Sequence, residues 1–401
     1  MRQVDGSARL TGPVEGQPGI IMTGFDLGQV GYVLEEFFLE SAATRYEPAG
    51  PAGADGYWPV TPAGQASFAT RLVVCRPSDP AVFTGTVILE WLNVSAGFDA
   101  PAHWMLTHRQ VVRAGWAWVG VSAQRAGIEG GSIFETAGER PDDASRRVMV
   151  LPALKESDPV RYGALHHPGD AFSFDIFSQA GRAVRAGGVL GPLSAECLLA
   201  AGQSQSAIHL VTYVNAVAPT VPSAVACDGY LIGSRTGFAS PLTGWGGRIR
   251  SEGPDGARVR TDGRAPVLTV QTESDVTGVL AGVAVIAVSP INPDLVLLPA
   301  GHRVAASAQA ATRRADVKLA DHVPRSAPKR PAREADLSVV YGALAVAMTR
   351  RPLGRPGGGR RAGMGRKTQK IASAAAGLAR AVPGGALDEG SWPCPAATAR
   401  R

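Results

Sequence analysis

The segment Gly202–Ala207, GQSQSA, places one serine, Ser204, among small residues, directly after an apolar run and before a stretch with helical spacing. This is the pattern of a nucleophile elbow, in which a strand, a tight GxSxG turn and a helix expose a serine hydroxyl. Ser206 stands where the second glycine is usual, and a serine is small enough for the turn to close. The pattern indicates a serine nucleophile, although GxSxS also occurs in ordinary turns.

An acyl-transfer nucleophile needs hydrogen-bond donors aimed at the oxygen that becomes negative in the transition state. The residue after the serine, Gln205, lies at the predicted start of a helix, where its N–H and the helix dipole both favour an anion. A second donor to this oxyanion hole is expected from Asn93 or Val94, in the segment that follows the apolar run at 85–89. The same segment also fits an ordinary turn between a strand and a helix.

The serine also needs a base, and the base needs an acid, in the chain order Ser, Asp, His. Asp275 follows an apolar run and is the predicted acid, with Glu273 as the alternative. Only His302 and His322 lie beyond it, and His302 ends an apolar run that resembles a last strand and its loop. We therefore expect a triad of Ser204, Asp275 and His302, and we expect the five earlier histidines to be structural or to line the pocket.

Short apolar runs, separated by stretches with helical spacing, must position these residues. The predicted buried strands are Arg71–Cys75, Gly85–Trp91, Trp116–Val121, Cys197–Ala201 and Pro266–Gln271. The predicted helices are Trp104–Ala114, Phe172–Ala186 and Ser206–Ala216. Strands that alternate with helices predict an α/β fold with a mostly parallel sheet covered on both faces. The segment 233–264, rich in Gly, Ser and Arg, breaks this alternation and is expected to be an insertion or a lid.

Charge and composition divide the chain into an acidic body and a basic end. Residues 1–300 hold 21 Lys and Arg against 28 Asp and Glu, whereas residues 301–401 hold 19 against 6. Only two of the 25 aromatic residues lie beyond residue 283. A basic segment with so few aromatic residues buries little apolar surface, so we expect residues 303–401 to be a largely disordered tail. We expect nucleic acid to bind this tail only nonspecifically, if it binds at all.

Other patterns bear on the compartment and on bound groups. The first 16 residues contain no apolar stretch of the length that a signal peptide needs, and no apolar run of about 18 residues occurs. The cysteines lack the spacing of a zinc site or a disulfide framework. They are Cys75, Cys197, Cys227 and Cys394. We expect a cytoplasmic protein without a membrane span, metal or cofactor, and a small-molecule ester as its substrate.

Longer motifs occur in order along the chain: EWLNVS at 90–95, GVSAQ at 120–124, HPGDAFSFDIFSQAGR at 167–182, GQSQSA at 202–207, TYVNA at 212–216 and QTESDV at 271–276. They resemble the motifs of one family, the bacterial α/β-hydrolase domain proteins of mostly unassigned substrate. The resemblance covers about residues 15–283 and implies an α/β-hydrolase domain over residues 15–302, with Ser204 as the nucleophile. It implies an ester hydrolase that forms an acyl-enzyme. The alternatives are an acyltransferase on the same fold and a catalytically impaired protein that lacks a genuine catalytic histidine.

The resemblance ends near Val283. A member of this family is expected to continue with an acidic, aromatic segment and a histidine motif of the type GTAHAD, and neither follows in this chain. One hypothesis is that the chain beyond this position is a frameshifted reading, in which His302 stands near the expected place by coincidence. The other hypothesis is that His302 is the base, in a divergent last strand.

Overall fold

The structure is a computed structural model of the 401-residue chain. It describes residues 8–22, 24–53, 55–131, 152–235, 237–244 and 257–272, together with the backbone of three strands at 2–4, 294–298 and 305–308. These residues all belong to one compact unit, Met1–Gly358. Apart from the strand at 305–308, the predicted tail lies outside the described residues, so its predicted disorder and the frameshift hypothesis stay predictions.

Eleven strands in the described part of the chain form one sheet. In chain order they are β1 Arg2–Val4, β2 Ala8–Thr11, β3 Tyr32–Pro48, β4 Val60–Pro77, β5 Thr86–Trp91, β6 Ala117–Val121, β7 Cys197–Gln203, β8 Gly229–Gly233, β9 Val267–Thr272, β10 Asp294–Leu298 and β11 Ala305–Ala308. Their spatial order is β1-β2-β3-β4-β6-β5-β7-β8-β9-β10-β11. The neighbours from β6 to β10 are parallel, and antiparallel strands flank them on both sides.

Helices connect the parallel strands from β5 to β8. Those in the described ranges are α1 Ala102–Arg113, α2 Arg125–Glu129, α3 Leu154–Ser157, α4 Pro159–Tyr162, α5 Ser173–Ala186 and α6 Gln205–Thr212. A π-helical turn, Tyr213–Val217, continues α6. The five predicted strands and three predicted helices all have counterparts here, which confirms the predicted α/β architecture. Among these helices, none is both long enough and apolar enough to cross a membrane.

Helices cover both faces of the sheet, which explains why β5 is a continuous apolar run rather than an alternating one. Val87 and Leu89 of β5 pack in the core cluster that contains Phe174 of α5. Ile88, between them, points to the other face and joins the cluster that contains Trp104 of α1. Burying a large apolar side chain of this kind contributes roughly 1.5–3 kcal/mol, so the central strands are firmly fixed.

The winding of the sheet reverses at β5. After β5, the chain forms β6 on one side of β5, and it later forms β7 on the other side of β5. The loops that leave the carboxyl ends of β5 and β7 therefore diverge and leave a crevice between them, where open α/β sheets bind their ligands. Asn93 follows β5 and Ser204 follows β7, so the topology brings both predicted site segments to this crevice.

The residues between β5 and α1, 92–101, form a loop that we call the β5–α1 loop, and a buried ionic network fixes it to the sheet. Arg71 of β4 is fully buried, and its Nη2 donates to Asp99 Oδ2 in the loop at 2.8 Å. The Arg71 Nε donates to Ser122 Oγ at 3.1 Å, and Ser122 in turn donates to Asp99. Glu36 of β3, also fully buried, lies 3.6 Å from Arg71 Nη1. The loop is therefore held by charges that water does not screen.

The segment predicted to be an insertion or a lid spans residues 233–264. The structure describes its two flanks, 237–244 and 257–264. Both flanks pack beside α6 and the turn after it. Thr212 donates to the carbonyl oxygen of Ser240, and Asn215 Nδ2 donates to that of Arg258 at 2.7 Å. The intervening residues lie outside the described ranges, so the lid stays a prediction.

We expect Asp99→Ala to lower the free energy of unfolding by about 3–5 kcal/mol, because it deprives the buried Arg71 guanidinium of its closest carboxylate. Urea unfolding followed by tryptophan fluorescence measures this loss. Arg45→Ala is the control, since Arg45 pairs with Glu47 at the surface and such a pair contributes less than about 1 kcal/mol. Equal losses in the two variants would contradict the role assigned to Asp99.

Candidate active site

Ser204 occupies the turn between β7, which ends at Gln203, and α6, which begins at Gln205. Its backbone has φ of 56° and ψ of −115°, a region that residues with a side chain rarely adopt. Ser204 is exposed, whereas Gln205 and Ser206 are buried. Holding a non-glycine residue in such a conformation costs about 1–3 kcal/mol, so the surroundings must fix it. The turn thus presents the Ser204 hydroxyl at the carboxyl edge of the sheet.

Close packing and three hydrogen bonds fix this turn. A Cβ added to Gly202 would lie 2.9 Å from the carbonyl oxygen of Ser206, so only glycine allows β7 to approach the start of α6. The Ser206 hydroxyl accepts from the Gln203 N–H at 2.9 Å and donates to the Gln203 carbonyl at 3.0 Å. The Ser204 N–H donates to the carbonyl oxygen of Gly233 on β8 at 2.9 Å. Ser206 therefore stabilises the turn with bonds that a glycine could not make.

Asn93 connects the β5–α1 loop to the elbow. Its Nδ2 donates to the carbonyl oxygen of Gln203 at 2.9 Å, and its Oδ1 accepts from the Ser95 N–H at 2.9 Å. The backbone of Asn93 also pairs in both directions with Ala100, which closes the loop on itself. The loop residue predicted to contribute to the oxyanion hole therefore contacts the peptide group that precedes Ser204.

The predicted oxyanion donors differ in what their main-chain N–H groups contact. Gln205 is the first residue of α6, a position whose N–H has no carbonyl partner within the helix. The Val94 N–H donates to the side-chain Oε1 of Gln205 at 3.3 Å, and the Asn93 N–H donates to Ala100. The structure brings all three predicted residues to the elbow, but the N–H groups of Asn93 and Val94 already have acceptors. The oxyanion role of the three residues stays a prediction.

A buried polar cluster lies behind the elbow. Gln205 Nε2 donates to Gln124 Oε1 at 2.9 Å, and Trp91 Nε1 donates to the same oxygen at 3.1 Å. Gln124 Nε2 donates to His209 Nε2 at 3.3 Å, and His209 Nδ1 donates to the Gln205 carbonyl at 3.2 Å. The sequence analysis did not predict this cluster. The feature that could have indicated it is the presence of two polar residues, Gln124 and His209, in otherwise apolar segments. The side chain that follows Ser204 is thereby locked in place.

Buried histidines lie in this region, and two of them have both ring nitrogens engaged within the protein. His167 Nε2 donates to the carbonyl oxygen of Ala123 at 2.9 Å, and its Nδ1 accepts from the Gly169 N–H at 3.2 Å. Both ring nitrogens of His209 are engaged as well, and burial lowers the pKa of both side chains below the ordinary histidine value. Burial also lowers the pKa of His103, to about 3. These imidazoles are therefore neutral, and His167 and His209 have no ring nitrogen left for a substrate.

Glu90, near the end of β5, holds the first turn of α1, where the β5–α1 loop ends. Its two oxygens accept from the main-chain N–H groups of His103 and Trp104, at 2.7 and 2.8 Å, and from Trp118 Nε1 at 2.8 Å. Burial raises the pKa of this carboxyl to about 7, against the opposing effect of the three N–H donors. The loop that carries Asn93 is therefore held to the sheet through Asp99 and through the start of α1.

The predicted acid and base, Asp275 and His302, lie outside the described residues, as does the alternative acid Glu273. The strands that lead to them are described. β9 ends at Thr272 and β10 ends at Leu298, and the two strands are parallel neighbours. Both run parallel to β7, so their carboxyl ends lie at the edge of the sheet that carries Ser204. The assignment of acid and base stays a prediction.

Several solved structures resemble this chain at low identity. A serine hydrolase of Xanthomonas campestris, described as lacking a lid, is 15% identical, with 65% of this chain and 84% of that one covered and a TM-score of 0.32. A thermostable esterase of Pseudomonas putida is 15% identical, with 62% of this chain and 66% of that one covered and a TM-score of 0.30. The match thus spans slightly less than two thirds of that esterase.

The family comparison is more extensive. The sequence profile of the family described as "Alpha/beta hydrolase domain" matches residues 5–349, a range that continues beyond Val283 and includes His302. No curated protein matches the chain. The match covers most of the sequence, and the strand order and the strand-turn-helix at Ser204 agree with it. The chain belongs to the alpha/beta hydrolase domain family.

Proposed function

We propose that this protein is a serine hydrolase that cleaves small carboxylic esters through an acyl-enzyme on Ser204. The observation that carries the proposal is the exposed Ser204 at a φ of 56°, in the crevice where the winding of the sheet reverses. A conformation of this cost persists only where the surroundings enforce it, and such residues cluster at functional sites. The catalytic domain in this proposal spans residues 15–302, and the tail 303–401 takes no part in the reaction.

In the proposed reaction, Ser204 Oγ attacks the ester carbonyl carbon while His302 accepts the hydroxyl proton. The π electrons of the carbonyl move to its oxygen, which the Gln205 N–H stabilises. The tetrahedral intermediate then collapses, and the alcohol leaves with the proton from His302. Water attacks the acyl group with His302 as base, which releases the carboxylic acid and restores Ser204. Asp275, or Glu273 in its place, holds the imidazole in the tautomer that accepts the proton.

The first test is the identity of the nucleophile. We expect a fluorophosphonate probe to label the wild-type protein on Ser204, and Ser204→Ala to lose both labelling and hydrolysis of p-nitrophenyl butyrate, the latter by roughly 10⁴–10⁶-fold. Ser194→Ala is the matched control, since Ser194 is exposed in the loop before β7. Labelling that persists in Ser204→Ala, or that is absent from folded wild-type protein, would contradict the proposal and favour an impaired hydrolase fold.

The second test separates the candidates for acid and base. We expect His302→Ala to lower kcat by roughly 10³-fold or more, because a serine hydroxyl is a weak nucleophile without a base, whereas His322→Ala keeps wild-type kcat. Asp275→Ala is expected to lower kcat far more than Glu273→Ala does. Steady-state kinetics on p-nitrophenyl butyrate measure all four variants. Full activity in His302→Ala would rule out this base, and a reversed order for the two acidic residues would assign the role to Glu273.

The third test concerns the strained turn. We expect Gly202→Ala to lower the free energy of unfolding by about 1–3 kcal/mol and to slow the labelling of Ser204, because the added methyl group meets the backbone of α6. The matched control is Gly181→Ala in α5, where the nearest atom would be 3.4 Å away and alanine favours the helix by about 1 kcal/mol. Wild-type stability and labelling rate in Gly202→Ala would contradict this account of the elbow.

A further inference from the structure

The proposed oxyanion hole has one main-chain donor in place, the N–H of Gln205, and such sites need a second donor for full effect. The β5–α1 loop is the element that lies next to the elbow from another strand. Its main-chain N–H groups at Asn93, Val94 and Ser95 donate to Ala100, Gln205 Oε1 and Asn93 Oδ1 respectively. At these three positions, a second donor must therefore come from a side chain.

Two hydrogen bonds fix the amide of Asn93 in one orientation beside the elbow. Its Oδ1 accepts from the Ser95 N–H, which fixes which end of the amide is oxygen and turns Nδ2 toward the elbow. An amide nitrogen carries two hydrogens, and one of those on Nδ2 is donated to the Gln203 carbonyl at 2.9 Å. That carbonyl belongs to the peptide group that links Gln203 to Ser204. Asn93 is 8% exposed, whereas the adjacent Val94 is fully buried.

We propose that the side-chain amide of Asn93 is the second oxyanion donor of this site. Its remaining Nδ2 hydrogen binds the carbonyl oxygen of the ester as that oxygen becomes negative during attack by Ser204. No further proton moves in this step, because the amide only donates a hydrogen bond and keeps its hydrogen when the intermediate collapses. The bond to Gln203 fixes the amide before substrate arrives, so no reorganisation is needed in the transition state. This inference rests on the proposed role of Ser204.

The test uses Asn93→Ala and the shape-matched Asn93→Asp, which retains an acceptor for Ser95 but cannot donate. We expect kcat for p-nitrophenyl butyrate to fall about 10²–10³-fold in both variants, as when one oxyanion donor is removed, with KM within about threefold of wild type. A trifluoromethyl ketone, which binds serine as a tetrahedral oxyanion, should lose affinity in parallel. Binding of N-butyl butyramide, an uncleaved ground-state analogue, should not change.

A structural role alone would give a different pattern. If Asn93 only braces the elbow through Gln203, binding of the ketone and of the amide analogue would weaken together. Asn215→Ala is the control for loss of a buried amide, since Asn215 bonds the backbone of Arg258 and Arg260 away from the elbow; it should lower stability and leave kcat unchanged. Wild-type kcat and ketone affinity in both Asn93 variants, with Ser204 still labelled and required, would overturn this inference alone. Full activity in Ser204→Ala would overturn the proposed function with it.

Discussion

The arrangement of the site depends on one backbone constraint, the positive φ of Ser204. Its cost of about 1–3 kcal/mol is comparable to the combined contribution of three hydrogen bonds at about 0.5–1.5 kcal/mol each. The structure supplies three: two between Ser206 and Gln203, and one from Ser204 to Gly233. The strain is therefore offset locally, by the residues on either side of the serine and by the neighbouring strand. The close approach at Gly202 then prevents the turn from relaxing.

A buried cluster of polar side chains lies directly behind Ser204, within the otherwise apolar core. The side chain of Gln205 bonds Gln124 and the Val94 N–H, while its carbonyl accepts from His209. Each of these polar groups would be costly to bury alone, and their mutual bonds remove that cost. Because the neutral His209 also packs against Trp91, the cluster has little freedom to shift. Ser204 lies in a surface turn, but the residues that pack beneath it hold its backbone in one conformation.

The sequence was sufficient to predict the central strands, the three main helices and the elbow, because apolar periodicity and the small residues around Ser204 are local signals. The long strand β3 was missed, because Glu36 interrupts its apolar pattern and its partner Arg71 lies on another strand. The side-chain orientation of Asn93 was equally out of reach, since it depends on a contact with Gln203. Charge pairs and amide networks between distant segments become visible only when the fold brings their members together.

The bond between Asn93 and Gln203 joins positions 110 residues apart in the chain. It can form only after β5 and β7 have paired, and pairing of parallel strands over such a separation is among the slow events of folding because the intervening chain must first be closed into a loop. The two halves of the crevice are therefore joined late, after the local helices and the β3–β4 hairpin have had time to form. The turn at Ser204 and the loop that carries Asn93 therefore take up their final arrangement only as folding is completed.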